Sequence, residues 1–553
     1  MRSAPALTAL ALALSLLVRV AAAQLPPPLP PPAYPAENPP RPGQDVLGKF
    51  LFWDEQLSHD DTMACGTCHR SEIGGSDPRS ARTFHPGPDG LFATADDVHG
   101  SAGTVHLDLA AGFVADPLFG AHAQVTRRKA PSTIGAAYFE RLFWDGRATG
   151  QLVDPQTRSL AIAAGGALES QAAVPPVGTV EMSADGRTWD DVVAKLAAVE
   201  PAALAVDLPP EMRHFLGEHP TYPDMFAAVY GDPAITSERV LFAIANYERT
   251  LVADQTVLDT YLRGEIRDFP TDAMQRGFNL FTGDARCSSC HPLPFLQDGG
   301  FHNIGVRPDA EDVGLMAVTG DPADIGKFKT PDLRNAPLRG HLFHTGTAKT
   351  VADTLALYDV GGLFDTGHLD PELIALDEIL DAQDMADLQA FLEGALVDPR
   401  VEQGSFPFTR PRLRSEQPAS HALYGVASPN AAGRFAEFVL PMPAHVGHLG
   451  FTVGVERGLP SQPCALVLAG RPGTGAPFRD PRFAVPVNVQ LGSILELTLT
   501  ATDRDGMASV PLPLPPTPSL VGQSLYLQWF LVDPALAATG GVYATRGARL
   551  DLF

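Results

Sequence analysis

Basic residues are the minority in this 553-residue chain, 40 Lys and Arg against 64 Asp and Glu, for a formal net charge of −24. That balance argues against nucleic acid and anionic membrane surfaces as partners, because a phosphate-bearing surface selects for Lys and Arg. It is compatible with a basic partner protein. Long apolar runs are also missing: beyond the N-terminus no segment has the length and continuity of a membrane-spanning helix. Global disorder is disfavoured by a hydrophobic content of 45%, enough to fill large cores. Cysteine is scarce, five residues in all. Cys464 stands alone in an apolar, strand-like run and reads as a small buried hydrophobe. The other four fall in two short runs.

Those runs are Cys65-Gly66-Thr67-Cys68-His69 and Cys287-Ser288-Ser289-Cys290-His291. Zinc would need a further Cys or His pair at finger-like spacing, and neither run has one nearby. A redox dithiol would sit in a βαβ pattern, whereas both runs follow helical patterns. What fits is c-type haem attachment, in which two thiols add across the haem vinyl groups and the adjacent imidazole ligates the iron. Two covalently bound haems c are expected, attached through Cys65, Cys68, Cys287 and Cys290, with His69 and His291 as proximal iron ligands.

The N-terminus reads as an export signal: Arg2, an apolar core from Leu7 to Val18, and the small residues Ala21-Ala22-Ala23. Residues 1–23 are expected to be a signal peptide and 24–43 an extended proline-rich linker. A periplasmic location follows, and it suits haem attachment outside the bacterial cytoplasm. From Asp45 the pattern is helical, with Val46, Leu47, Phe50, Leu51 and Leu57 at helix-like spacing. Residues 70–130 read as long loops around a site. Helices are predicted over Trp189 to Val199, Ser237 to Leu262, Asp272 to Phe281, Val351 to Tyr358 and Asp384 to Leu392. After about residue 405, short alternating segments separated by Pro, Gly and Asp turns predict an antiparallel β-sandwich with no catalytic constellation of its own.

The flanks of the two runs narrow the reading. Leu47-Gly48-Lys49-Phe50-Leu51-Phe52-Trp53-Asp54 before the first, and Ala130-Pro131-Ser132-Thr133-Ile134 with Phe143-Trp144-Asp145-Gly146-Arg147-Ala148 between them, resemble the bacterial di-haem cytochrome c peroxidase/MauG family. Arg276-Gly277-Phe278-Asn279-Leu280-Phe281 and Phe328-Lys329-Thr330-Pro331-Asp332-Leu333-Arg334-Asn335 continue the resemblance in order, over roughly residues 45–395. It implies two cytochrome c-like helical haem domains, 44–265 around the peroxidatic haem and 266–404 around the electron-relay haem; with the β-sandwich at 405–553, which the resemblance does not cover, the chain is expected to be mainly α. It implies hydrogen peroxide as substrate, a small electron-donor protein (cytochrome c or cupredoxin), and a homodimer as one arrangement of the chains.

By the same resemblance Trp144 lies between the haems and assists electron transfer. Glu181 is the acid–base group that takes a proton from the near peroxide oxygen and delivers one to the leaving oxygen. Gln156 is the pocket glutamine. His122 is the distal ligand of the first haem, with His85, His99 and His106 in the same region competing for that role. Two departures stand out. Phe343 replaces the methionine expected on the relay iron, which leaves that iron five-coordinate or dependent on His344, His341 or Met316. Lys129 stands where an inter-haem calcium site commonly has asparagine, and an ammonium repels the cation. Calcium is then confined to the acidic loop from Asp89 to Asp97, which also reads as a solvated turn. Besides a peroxidase, a MauG-like oxidase of a protein or organic substrate and a non-enzymatic di-haem electron carrier satisfy the same features.

Overall fold

Two helical glycines mark the crossings around which the haem-binding part is built. In the computed structural model, which describes residues 27–476 and 485–553, the helix Gln44–Trp53 crosses Ser237–Glu248 at Gly48. A Cβ at Gly48 would lie 1.9 Å from the carbonyl oxygen of Ala243. The helix Asp272–Thr282 crosses Ala382–Ala395 at Gly277, whose Cβ would lie 2.0 Å from the carbonyl oxygen of Asp387. Each first helix precedes one Cys-x-x-Cys-His run, the first by way of the 3₁₀ turn Glu55–Leu57. The first crossing seats Leu47, Phe50 and Leu51 in a core with Val240, Leu241 and Ile244. The second joins Phe278 and Phe281 to Leu388 and Phe391.

The predicted helix from Ser237 to Leu262 is broken: it ends at Glu248 and restarts as Val257–Leu262, where Thr256 Oγ1 accepts from the Asp259 N–H at 3.1 Å. Two helices the periodicity did not mark, Pro210–Glu218 and Tyr222–Tyr230, pack Met212, Tyr222, Met225 and Phe226 into the first core. The second haem unit does not end the helical part cleanly. Val401, Phe408 and Leu413 return to that first core. The proline-rich segment from residue 27 is extended but docked, with buried Asn38 donating to Glu169 Oε1 at 2.7 Å and to the Phe242 carbonyl at 3.1 Å. The expected signal peptide lies outside the described residues.

The expectation of a mainly α chain is corrected. Helix accounts for 29% and strand for 17%, an ordinary mixed content. The reason is physical: much of each haem site is walled by loops and turns between the helices, and the described C-terminal residues are strands, loops and short 3₁₀ turns. That region carries a larger sheet in the order Ile494–Ala501, Pro463–Ala469, Ser524–Val532, Gly547–Asp551, His421–Tyr424, with Val542–Ala544 also paired to Ser524–Val532. A three-stranded sheet, Glu437–Val439, Thr452–Glu456, Ala508–Pro511, shares its core through Val453, Val455, Leu466, Leu527 and Trp529. The short apolar segment 485–489 forms no ladder.

The loops at 70–130 are not free loops. Ala102–Val105 pairs with Ala123–Val125, and Leu107–Asp108 with Gly112–Phe113. Phe113 enters the β-sandwich core, and its N–H donates to Ser509 Oγ at 2.9 Å. The sandwich is therefore completed by the first haem unit's own loop. Among the described residues no helix is long and apolar enough to cross a membrane.

Candidate functional site

The first attachment run forms a one-turn helix, Cys65–Cys68. Gly66 is required there, because a Cβ would meet the fully buried Trp53 ring at 2.2 Å. His69 Nδ1 lies 3.2 Å from the Gly75 carbonyl, and His291 Nδ1 lies 2.8 Å from the Leu296 carbonyl. In both, Nδ1 carries the proton, leaving the Nε2 lone pair for a metal. Burial holds both imidazoles below the ordinary range, His291 down to about 4, so each is a neutral ligand.

Cys65, Cys68 and His69 line a cavity of about 1260 Å³. Cys287, Cys290 and His291 line a tighter one of about 220 Å³. All four thiols are free. Lys129 and Lys329 face both cavities, buried and with no ion-pair partner among the described residues, and buried Arg339 faces the second. Burial pulls each lysine down to about 7. Paired thiols, a free Nε2 and unpaired buried cations suit a haem with its anionic propionates, so the residues present fit the group.

The wall between the cavities has a pseudo-twofold design. The Lys129 N–H donates to the His344 carbonyl at 2.8 Å, and the Lys329 N–H donates to the Trp144 carbonyl at 2.9 Å. Leu142 bridges Ala148 as Leu342 bridges Ala348, and Phe143 and Phe343 both hold left-handed φ, 62° and 66°. Trp144 lines both cavities, with Nε1 donating to the Lys129 carbonyl at 2.8 Å and its ring edge-on to His344 at 6.2 Å. His344 is buried, stacked on Phe328 at 3.6 Å, and its Nε2 has no partner. Burial drives its imidazole down to about 3. With Phe343 it lines the second cavity, as does His341, while Met316 does not.

Glu181 is brought into the first cavity by the turn after Pro175–Val177, where the Glu181, Met182 and Ser183 N–H groups all converge on the Gly178 carbonyl at 2.9–3.1 Å. The strand beside it clamps the turn. Thr104 Oγ1 and Gln124 Nε2 donate to the Thr179 carbonyl at 3.2 and 2.9 Å. Burial pushes the Glu181 carboxyl up, and Arg147 in the same cavity pulls it part of the way back. Arg147 is itself held by Asp145 at 2.9 Å and by stacking on Phe143 at 3.6 Å.

Two predicted residues lie elsewhere. Gln156 joins the N-terminus of a helix instead: its Oε1 accepts from the Ser237 N–H at 2.6 Å and its Nε2 donates to Asp190 at 2.7 Å. Two other glutamines line the cavity, Gln124 and, on the helix Ala167–Ala172, Gln171. His122 is exposed on a turn, whereas His85 is buried and lines the cavity against Phe119. His99 packs on His341 at 4.4 Å, and His106 pairs with Asp185 at 2.9 Å. The sequence also gave no sign of Glu248, a second buried carboxyl on the first cavity that burial pushes up to about 8. In the acidic loop, Asp89, Asp96 and Asp97 spend carboxylate oxygens on the N–H groups of Leu91, Asp89 and Ala93.

Residues 43–267 match the family described as di-haem cytochrome c peroxidase. A cytochrome-c peroxidase (IdrP1) of Denitromonas iodatirespirans is 28% identical over 415 residues, 68% of this chain and 89% of that protein. The methylamine utilization protein MauG of Methylorubrum extorquens is 28% identical, over 66% of this chain and 82% of its own length. Among solved structures, a MauG-like protein associated with microbial copper homeostasis superposes with a TM-score of 0.50 at 26% identity, covering 70% of this chain and 97% of that one.

Proposed function

We propose, from the premise that the haem-binding region of this chain belongs to the di-haem cytochrome c peroxidase and MauG family, that it reduces hydrogen peroxide to water with electrons from a small donor protein. The observation that carries this reading is Glu181 in the same cavity as Cys65, Cys68 and His69, with its carboxyl held up by burial. Haem supplies the redox-active iron when bound. The chain's own residues hold it through the two cysteine pairs and the Nε2 atoms of His69 and His291. Glu181 takes up and returns a proton beside the first iron, where a carboxyl of raised pKa suits both directions of transfer. Trp144 fills the wall between the two cavities, where it would lie between the haems and could assist electron transfer across that wall. Location in the periplasm and cleavage of residues 1–23 belong to this proposal.

Steady-state turnover of peroxide with a reduced cytochrome c or cupredoxin tests it. Protein inert to peroxide in both the fully oxidised and the half-reduced form overturns it. Trp144→Ala is expected to slow electron arrival at the first haem while leaving both haems attached, read by stopped-flow absorbance. Gln171→Leu is expected to lower turnover about tenfold or more, as loss of a cavity hydrogen-bonding group does. Gln156→Leu loosens only a helix N-terminus, so turnover should stay near wild type.

A second reading, a MauG-like oxidase, is favoured by one feature: Phe343 lines the second cavity where a thioether would otherwise sit, and a phenyl ring cannot ligate iron. Optical and EPR spectra after peroxide addition to the fully oxidised protein separate the two. A long-lived oxidised state shared by both haems favours the oxidase.

A further inference from the structure

The β-sandwich and the first haem unit meet at a buried cluster that the haem chemistry does not use. Asp61 lies four residues before Cys65, and His445 and His448 lie on the loop between the strands Glu437–Val439 and Thr452–Glu456. All three are buried, at 2%, 9% and 4% exposure. Asp61 Oδ2 is 2.8 Å from His445 Nε2 and 3.3 Å from His448 Nε2. The two imidazoles stack with centroids 4.7 Å apart. Lys195 occupies the other carboxylate oxygen, Oδ1, and its ammonium is also held by the carbonyls of Ser58 and His59 at 2.7 and 3.0 Å. Oδ2 is left to the histidines.

The histidine tautomers decide what belongs there. His448 Nδ1 lies 3.0 Å from the Pro443 carbonyl, and His445 Nδ1 lies 3.3 Å from the Val446 carbonyl. A carbonyl only accepts, so each Nδ1 carries a proton, and each ring turns its Nε2 toward Asp61. A lone pair facing a carboxylate is repulsive unless a proton or a cation stands between them. His448 Nε2, though buried, has no hydrogen-bond partner. Carbonyl-anchored histidines with free Nε2 atoms are the usual second-shell arrangement of a metal site. A tetrahedral ion with bonds of 2.0–2.1 Å separates its donors by about 3.3 Å; His448 Nε2 and Asp61 Oδ2 already stand 3.3 Å apart, and His445 Nε2, at 2.8 Å, needs to move back by about half an ångström to admit the ion.

We propose that Asp61, His445 and His448 bind one zinc ion, with water as the fourth ligand, and that the ion pins the β-sandwich to the segment leading into the first haem attachment run. Two imidazoles and one carboxylate are a borderline donor set that suits zinc rather than calcium or magnesium. The ion takes no part in electron transfer, since zinc has no redox chemistry at this site.

The test uses the full-length holoprotein, stripped with a chelator, equilibrated with zinc sulfate and dialysed. One zinc per chain is expected by elemental analysis, and with it a rise in the unfolding midpoint. His445→Ala, His448→Gln and Asp61→Asn should each weaken zinc binding at least about 100-fold and abolish the rise. His421→Ala, elsewhere in the sandwich, should keep both. Haem absorbance and far-UV circular dichroism identify variants that have folded, and His448→Gln carries the test if Asp61→Asn does not fold. Wild-type protein that retains no zinc overturns the proposal. So does zinc retained equally by folded His445→Ala and His448→Gln.

Discussion

Glu181→Gln is expected to lower peroxide turnover by about 10²–10⁴-fold with both haems still attached and their absorbance unchanged, the usual size of a lost general acid–base. The amide is nearly isosteric, so the cavity keeps its shape, but it can neither take nor return a proton. The pH dependence gives the sign. Burial raises the carboxyl of Glu181, so the base form is present only above that raised value. Wild-type turnover should therefore fall as pH drops through a midpoint above the ordinary carboxylate value of about 4.3, and the variant should lack that limb. Stability should move the other way. A carboxyl that holds its proton more tightly when folded costs stability as pH rises, so Glu181→Gln should melt no lower than wild type at neutral pH. Unchanged turnover in a fully haem-loaded variant would remove Glu181 from the chemistry.

Much of the haem region is readable in the chain because its signals are local. Leu47, Phe50 and Leu51 repeat at helical spacing, and each Cys-x-x-Cys-His run brings its ligand along. Gln156 and His122, singled out from the sequence, do not line the first cavity; they fall inside residues 70–180, where two-stranded ladders and turns replace periodicity and several polar residues fit a given spacing. Gln171 rides on a six-residue helix, too short to announce itself. One signal was available and informative. Lys129, Pro131, Leu142, Phe143, Gly146 and Ala148 recur as Lys329, Pro331, Leu342, Phe343, Gly346 and Ala348, two hundred residues on. That recurrence pairs Trp144 with His344 across the inter-haem wall and shows that Phe343 keeps the residue type of its counterpart. The cluster of Asp61, His445 and His448 had no such signal. Asp61 lies 384 residues or more before the two histidines, and only tertiary contact brings it to them.

Gly48→Ala and Gly277→Ala should each destabilise the protein, against the ordinary rule for helices. In an exposed helix interior, Gly to Ala gains roughly 0.5–1 kcal/mol through backbone entropy. At Gly48 the added methyl would sit 1.9 Å from the Ala243 carbonyl oxygen, and at Gly277 2.0 Å from that of Asp387. Both obstacles are backbone in a packed helix, so the helices themselves must part. Overpacking of a close-packed core typically costs about 1–3 kcal/mol, and here the crossing opens along a whole buried face. The net loss should be about 1–3 kcal/mol, a fall of several degrees in unfolding midpoint. Because each glycine's helix precedes a haem attachment run and packs the core beside it, haem loading should fall with it at 37 °C. Gly217 supplies the internal comparison: it lies exposed in the helix Pro210–Glu218, and nothing stands within 4 Å of its Cβ position. Gly217→Ala should leave loading unchanged and raise the midpoint slightly. If Gly48→Ala and Gly277→Ala behave like Gly217→Ala, the close crossings are not what holds the two haem units together.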